Sequence, residues 1–101
     1  MAYNVELTAR AERDLRALYQ RIHAADSPHA AKWFHGLEAA IVSLEKTPTR
    51  SPVSPENKKL RHLLYRSHSF AYRIIYAIDT RRRIVTVLHI RHGSQKPMAN
   101  A

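Results

Sequence analysis

Ala71-Tyr72-Arg73-Ile74-Ile75-Tyr76-Ala77-Ile78-Asp79 and Ile84-Val85-Thr86-Val87-Leu88-His89-Ile90-Arg91-His92 are the stretches whose reading decides the fold. Both are rich in β-branched and aromatic residues, the composition of strands, and the basic segment Thr80 to Arg83 between them has the length of a hairpin loop. Arginine and histidine are written into otherwise apolar runs. A guanidinium buried without a partner costs several kcal/mol, so Arg73, His89 and Arg91 are expected to face water, a partner or an anion.

The two-residue period of a strand sorts the faces. In the first run Phe70, Tyr72, Ile74, Tyr76 and Ile78 share the side expected to meet a core. Ala71, Arg73, Ile75, Ala77 and Asp79 share the other. In the second run Ile84, Leu88 and Ile90 are grouped against Val85, Val87, His89 and Arg91. Turning Ile84, Leu88 and Ile90 toward the core gathers Arg73, His89 and Arg91 on one open face suited to binding phosphate. A one-residue bulge would reverse part of that register.

Upstream, Leu60 to Arg66 reads as another strand and Ser67-His68-Ser69 as a turn, which makes a three-stranded meander. Thr47 to Asn57 holds Pro48, Pro52 and Pro55 among serines and reads as a loop without regular structure. Ahead of it, Ser27-Pro28 is a helix start: a capping hydroxyl, then proline where its missing N–H is no loss. Ala30, Phe34, Leu37, Ile41 and Leu44 then recur at helical spacing, widened by Trp33 and Ala40, and the helix must stop before Pro48. Thr8 can cap an earlier helix with Leu15, Leu18, Tyr19 and Ile22 inward and Arg10, Glu12, Arg13, Arg16 and Arg21 outward, ending near Ala24-Ala25. So short a link makes the two helices antiparallel neighbours. Tyr3 to Thr8 alternates as a first strand. The expected fold is α+β, a helical hairpin packed on one face of a mainly antiparallel four-stranded sheet, in the order β-α-α-β-β-β. One domain spans residues 1–101, with an irregular tail from about residue 93.

The 101 residues are 45% apolar, enough for one modest core. Seventeen Lys and Arg against eight Asp and Glu leave a net charge of +9, which attracts nucleic acid, the ribosome or an acidic protein. The absence of cysteine excludes disulfides, zinc knuckles and thiol catalysis, and suits a reducing cytoplasm. His89 and His92, three apart on a strand, face opposite ways and have no carboxylate cluster beside them, so neither a metal nor another cofactor is expected. The polar opening Met1 to Thr8 has no signal-peptide pattern, and no run nears the roughly 20 apolar residues of a membrane span. The expected location is the cytoplasm, with no membrane partner.

With this order of elements, Tyr72-Arg73-Ile74-Ile75-Tyr76-Ala77-Ile78-Asp79, the ending Leu88-His89-Ile90-Arg91-His92-Gly93-Ser94, and Ala11-Glu12-Arg13-Asp14-Leu15 after Thr8, the chain resembles the RelE/ParE superfamily of bacterial toxins from Tyr3 to about Ser94. The resemblance implies the toxin of a type II toxin–antitoxin module of the plasmid-stabilisation kind. Such a toxin arrests growth and is held silent by an acidic antitoxin protein. One of two activities is implied: RelE-like members cut messenger RNA on the ribosome without a metal, whereas ParE-like members block DNA gyrase. Likeness to the RelE-like enzymes makes Arg73, Arg91 and His92 the catalytic set of an endoribonuclease. The target-binding set is Arg66, Arg73, His89 and Arg91. Arg73 has a structural alternative, pairing with a carboxylate on a neighbouring strand, and His92 another, as a strand-end histidine near the core. No carboxylate stands out as a general base, a departure from the RelE-like enzymes. The compact ending after the last strand, which has no tyrosine, is closer to ParE-like members, so gyrase inhibition is slightly favoured over RNA cleavage. A non-toxic nucleic-acid-binding module also fits the charge.

Overall fold

The computed structural model describes residues 2–55, 57–66 and 71–92. Strand β1 (Asn4–Leu7) leads into helices α1 (Ala9–Arg21) and α2 (Pro28–Val42), and a 3-10 turn at Ser43–Glu45 extends α2. Strands β2 (Arg61–Arg66), β3 (Ala71–Asp79) and β4 (Ile84–His92) follow. The expected order of elements is the observed one. The turn at residues 67–69, Phe70, Glu56 and the tail from Gly93 lie outside the described residues.

Both helices start where side-chain chemistry allows. The Thr8 hydroxyl accepts the Ala11 N–H at 3.1 Å, and the Ser27 hydroxyl accepts that of Ala30 at 3.2 Å, each satisfying a donor that the first turn leaves without a helical partner. Helix α1 stops at Arg21, earlier than the expected Ala24-Ala25, because His23 takes the left-handed conformation with φ 57°. The His23 N–H then donates to Gln20 O and the Ala24 N–H to Tyr19 O, both at 3.1 Å, which closes the helix as a Schellman motif. A side chain in that conformation costs about 1 kcal/mol that glycine avoids. His23→Gly is therefore expected to raise the thermal midpoint by a few degrees, as read by circular dichroism.

The sheet runs β1-β4-β3-β2. Strand β3 is antiparallel to both neighbours and β1 is parallel to β4, so the sheet is mixed but mostly antiparallel. Ala11 and Leu18 of α1 and Phe34, Leu37 and Ile41 of α2 pack with Leu63, Tyr72, Ile74, Tyr76, Val85, Val87 and Ile90 of the sheet. The charged stripe Arg10, Glu12, Arg13, Arg16 and Arg21 stays exposed. Gly36 lets a strand side chain come close to the α2 backbone: the Tyr65 hydroxyl donates to Trp33 O at 3.0 Å, and a β-carbon on Gly36 would overlap that hydroxyl.

One expectation about the faces of β4 is corrected. Val85 and Val87 are fully buried, opposite Ile78 and Tyr76, whereas Ile84 lies opposite Asp79 on the other side. The cause is a bulge. Ile75 pairs with His89 and Tyr76 with Val87, so Leu88 is an extra residue with no opposite number. Beyond it the alternation is reset: Ile90 faces the core, while His89 and Arg91 turn to the open face. Ile84, Leu88 and Ile90 are therefore not one core-facing set.

The proline-rich loop is also more ordered than expected. Val53 bridges Arg61 at the edge of β2, and the Arg61 guanidinium donates to Thr49 O at 3.2 Å and Ser51 O at 2.6 Å. From beneath, the hydroxyl of fully buried Tyr76 donates to Pro48 O at 2.6 Å. Tyr76→Phe removes that donor and leaves a buried carbonyl unsatisfied, so a loss of about 1–3 kcal/mol is expected, measured as a lower urea midpoint. Among the described residues no helix is long and apolar enough to cross a membrane.

Candidate functional site

Strand pairing builds the open face in rows. His62, Ile75 and His89 stand side by side across β2, β3 and β4, with Ile75 buried and His89 largely so, and Leu64, Arg73 and Arg91 form the next, more accessible row. Arg66 and Ala71 follow at the end of the sheet. Arg73 thus sits in the middle of the surface, directly opposite Arg91 on the same face. Like charges directly opposite on neighbouring strands repel, which concentrates positive potential at this point of the face.

Arg73 makes no ion pair with a carboxylate among the described residues. Its Nη1 instead lies 3.4 Å from Nδ1 of His62. The two line an open cleft of about 400 Å³ between Arg50, Ser51 and Pro52 on the loop and Leu63 and Leu64 on β2. Arg50 adds a second guanidinium to that lining, and Arg66 stands further along β2. Leu64, 43% exposed, adds an apolar contact in the same row.

His89 shares the face but is drawn to its edge. Nδ1 lies 2.8 Å from Asp14 Oδ2 on α1, both side chains three-quarters or more buried, and Nε2 lies 3.4 Å from Arg10 Nη2. The same Asp14 oxygen accepts the backbone N–H of Ile90 at 3.0 Å. His92 is opposite Tyr72 on the helix-facing side, with ring centroids 5.0 Å apart in an edge-on contact. Tyr72 in turn packs edge-on against Trp33 of α2 at 5.6 Å. The fold therefore brings Arg66, Arg73 and Arg91 to one surface with His89 at its margin, and places His92 on the other side of the sheet.

Two residues at this site were missed by sequence reasoning. His62 alternates with Leu64 and Arg66, and sorting β2 by the period used for β3 would have placed it beside Arg73. Asp14 lies between Ala11 and Leu18 on the inward stripe of α1, where a carboxylate needs a partner. The spacing alone could not say which strand supplies one. Among the described residues no three His, Asp or Glu side chains converge as metal ligands.

Two helices packed on a four-stranded, mostly antiparallel sheet in the order β-α-α-β-β-β are the fold of the RelE/ParE toxins. The sequence profile of the ParE toxin of type II toxin–antitoxin system, parDE, matches residues 5–97, and the chain belongs to that family. Among solved structures it is similar to the toxin–antitoxin complex RelBE2 from Mycobacterium tuberculosis, with 30% identity and a TM-score of 0.58 over 91% of this chain and 99% of that one. The chromosomal ParDE system from P. aeruginosa shares the fold at a TM-score of 0.70 and 18% identity, covering 90% of this chain and 96% of that one. A mutant of E. coli toxin RelE in the free state does so at 0.67 and 18%, covering 93% and 86%. Comparison with curated protein sequences finds no match.

Proposed function

We propose that this toxin arrests growth by binding DNA gyrase through the open face of its sheet, as ParE-like members of the superfamily do, and that an acidic antitoxin protein silences it in the cytoplasm. The observation that carries the reading is the separation of His92 from Arg73 and Arg91. Metal-free RNA cleavage needs a base for the 2′-hydroxyl, positive charge for the developing phosphorane and an acid for the leaving oxygen. Here the arginines supply charge, while one strand-end histidine stands behind the sheet and the other is tied to Asp14. Charge without a ready pair of proton carriers suits recognition better than catalysis. For the partner, the similar ParDE and RelBE2 structures are toxin–antitoxin assemblies, and a net charge of +9 favours an acidic protein.

One observation favours a second reading, a RelE-like, metal-independent ribonuclease acting on ribosome-bound messenger RNA. His62 lies beside Arg73 among the residues lining the cleft, and its imidazole would serve as a base for a 2′-hydroxyl if substrate drew its Nδ1 away from the guanidinium 3.4 Å off. The test is to assay gyrase supercoiling and the integrity of ribosome-bound messenger RNA side by side with purified protein. Inhibited supercoiling with intact message is the expected result. Cleaved message with unaffected gyrase would transfer the assignment to the ribonuclease. Induced expression that leaves growth untouched would reduce the chain to a nucleic-acid-binding module.

A further inference from the structure

Taking the open face as the working surface, we infer that Thr8 and Asp14 are positioning residues: they hold the β4 bulge at Leu88 and thereby turn Arg91 to the side of Arg73. The need for such a device follows from strand periodicity. Val85 and Val87 point into the core, and an unbroken alternation would send His89 and Arg91 after them. The extra residue at Leu88 shifts the phase by one and returns both to the open side.

A bulge interrupts pairing with its neighbour, so it needs support from elsewhere. On the outer edge of β4 the strand partner also ends: β1 reaches only Leu7, opposite Val87. Helix α1 and its cap take over at that point, residue by residue. The Thr8 N–H donates to Val87 O at 3.0 Å and the Thr8 hydroxyl to Leu88 O at 3.0 Å. Asp14 Oδ2 then receives His89 Nδ1 at 2.8 Å and the Ile90 N–H at 3.0 Å. Four consecutive residues of β4 are thus held by two side chains and one amide of a single helical segment. The Thr8 hydroxyl also accepts the Ala11 N–H, so the cap that starts α1 is the group that fixes the bulge. Asp14 follows one turn after Ala11, and the helix sets the spacing between the two grips.

The chain contains no cysteine, which permits a readout independent of any target. In the full chain, Arg73→Cys with Arg91→Cys places two thiols on directly opposite residues. Cα separations there are about 4.5–5.5 Å, inside the disulfide range. The rate of intramolecular disulfide formation then reports how often the two positions share a face. It is compared with the rates after adding Asp14→Ala or Thr8→Asp. The latter keeps an oxygen to cap α1 but has no donor for Leu88 O. Either addition is expected to slow crosslinking by about fivefold or more, the shift implied by losing one such hydrogen bond. An unchanged rate in both, or a parent pair that does not crosslink, would overturn the inference. If Asp14→Ala does not fold, Thr8→Asp decides it.

A growth assay with the native arginines supplies the functional arm. Asp14→Ala added to the pair His89→Ala with Arg91→Ala should be no worse than that pair alone, since Asp14 acts through the two side chains that the bulge turns to the open face. Additive losses would mean that Asp14 works by another route. Crosslinking needs neither gyrase nor messenger RNA, so it stands or falls separately from the proposed target.

Discussion

Alanine in place of Arg73 is expected to weaken growth arrest by about tenfold or more, because a hydrogen bond to a charged group contributes about 1.5–3 kcal/mol. The fold should survive the change. Arg73 lies at the centre of the uncovered face, opposite Arg91 and beside His62, and makes no ion pair among the described residues. Removing it relieves repulsion between like charges and leaves no buried carboxylate unpaired. The thermal midpoint is therefore expected within about 4 °C of the parent, the scale of an ordinary surface substitution. Titrated expression in cells and a melting curve on the purified variant check the two halves separately. A variant that unfolds would show that Arg73 is a structural residue.

Leu37→Ala should do the opposite. Leu37 is fully buried in the core shared by α2 and the sheet, and deleting a buried leucine side chain removes about 2–5 kcal/mol. A domain of this size has about 5–15 kcal/mol in total, so the change consumes a large share of its stability. A fall in thermal midpoint of about 10 °C or more is expected, at 4–8 °C per kcal/mol for a small domain. Growth arrest should then fall in proportion to the folded fraction and recover at lower temperature, which Arg73→Ala would not do. A midpoint near that of the parent would mean that α2 is not packed on the sheet as described.

The parts of the fold legible in the sequence are those governed by neighbours along the chain. Thr8 and Ser27 announce the helices because a hydroxyl followed by a helical pattern has a local use. The inward stripe of α2, from Phe34 through Leu37 and Ile41 to Leu44, follows from helical periodicity. Arg73 on the side away from Tyr72 and Ile74 follows from the pleat. His23 shows the limit of such reasoning. Histidine enters the left-handed region more readily than most side chains, but far less often than glycine or asparagine, the usual signals, so its place at the end of α1 was not legible in advance.

By itself the sequence determined a basic α+β domain with a helical hairpin, three closing strands and an arginine in the middle strand that had to stay out of the core. Only the tertiary structure decided that Arg91 faces Arg73, that His62 stands beside them, that His92 belongs to the other side, and that Asp14 grips β4. The physical reason is that these depend on which residue meets which across strands. A shift of one position at Leu88 exchanges the two faces of a strand without altering its composition. Whether that shift occurs is settled by hydrogen bonds from Thr8 and Asp14, which are distant in sequence and adjacent only once the chain has folded.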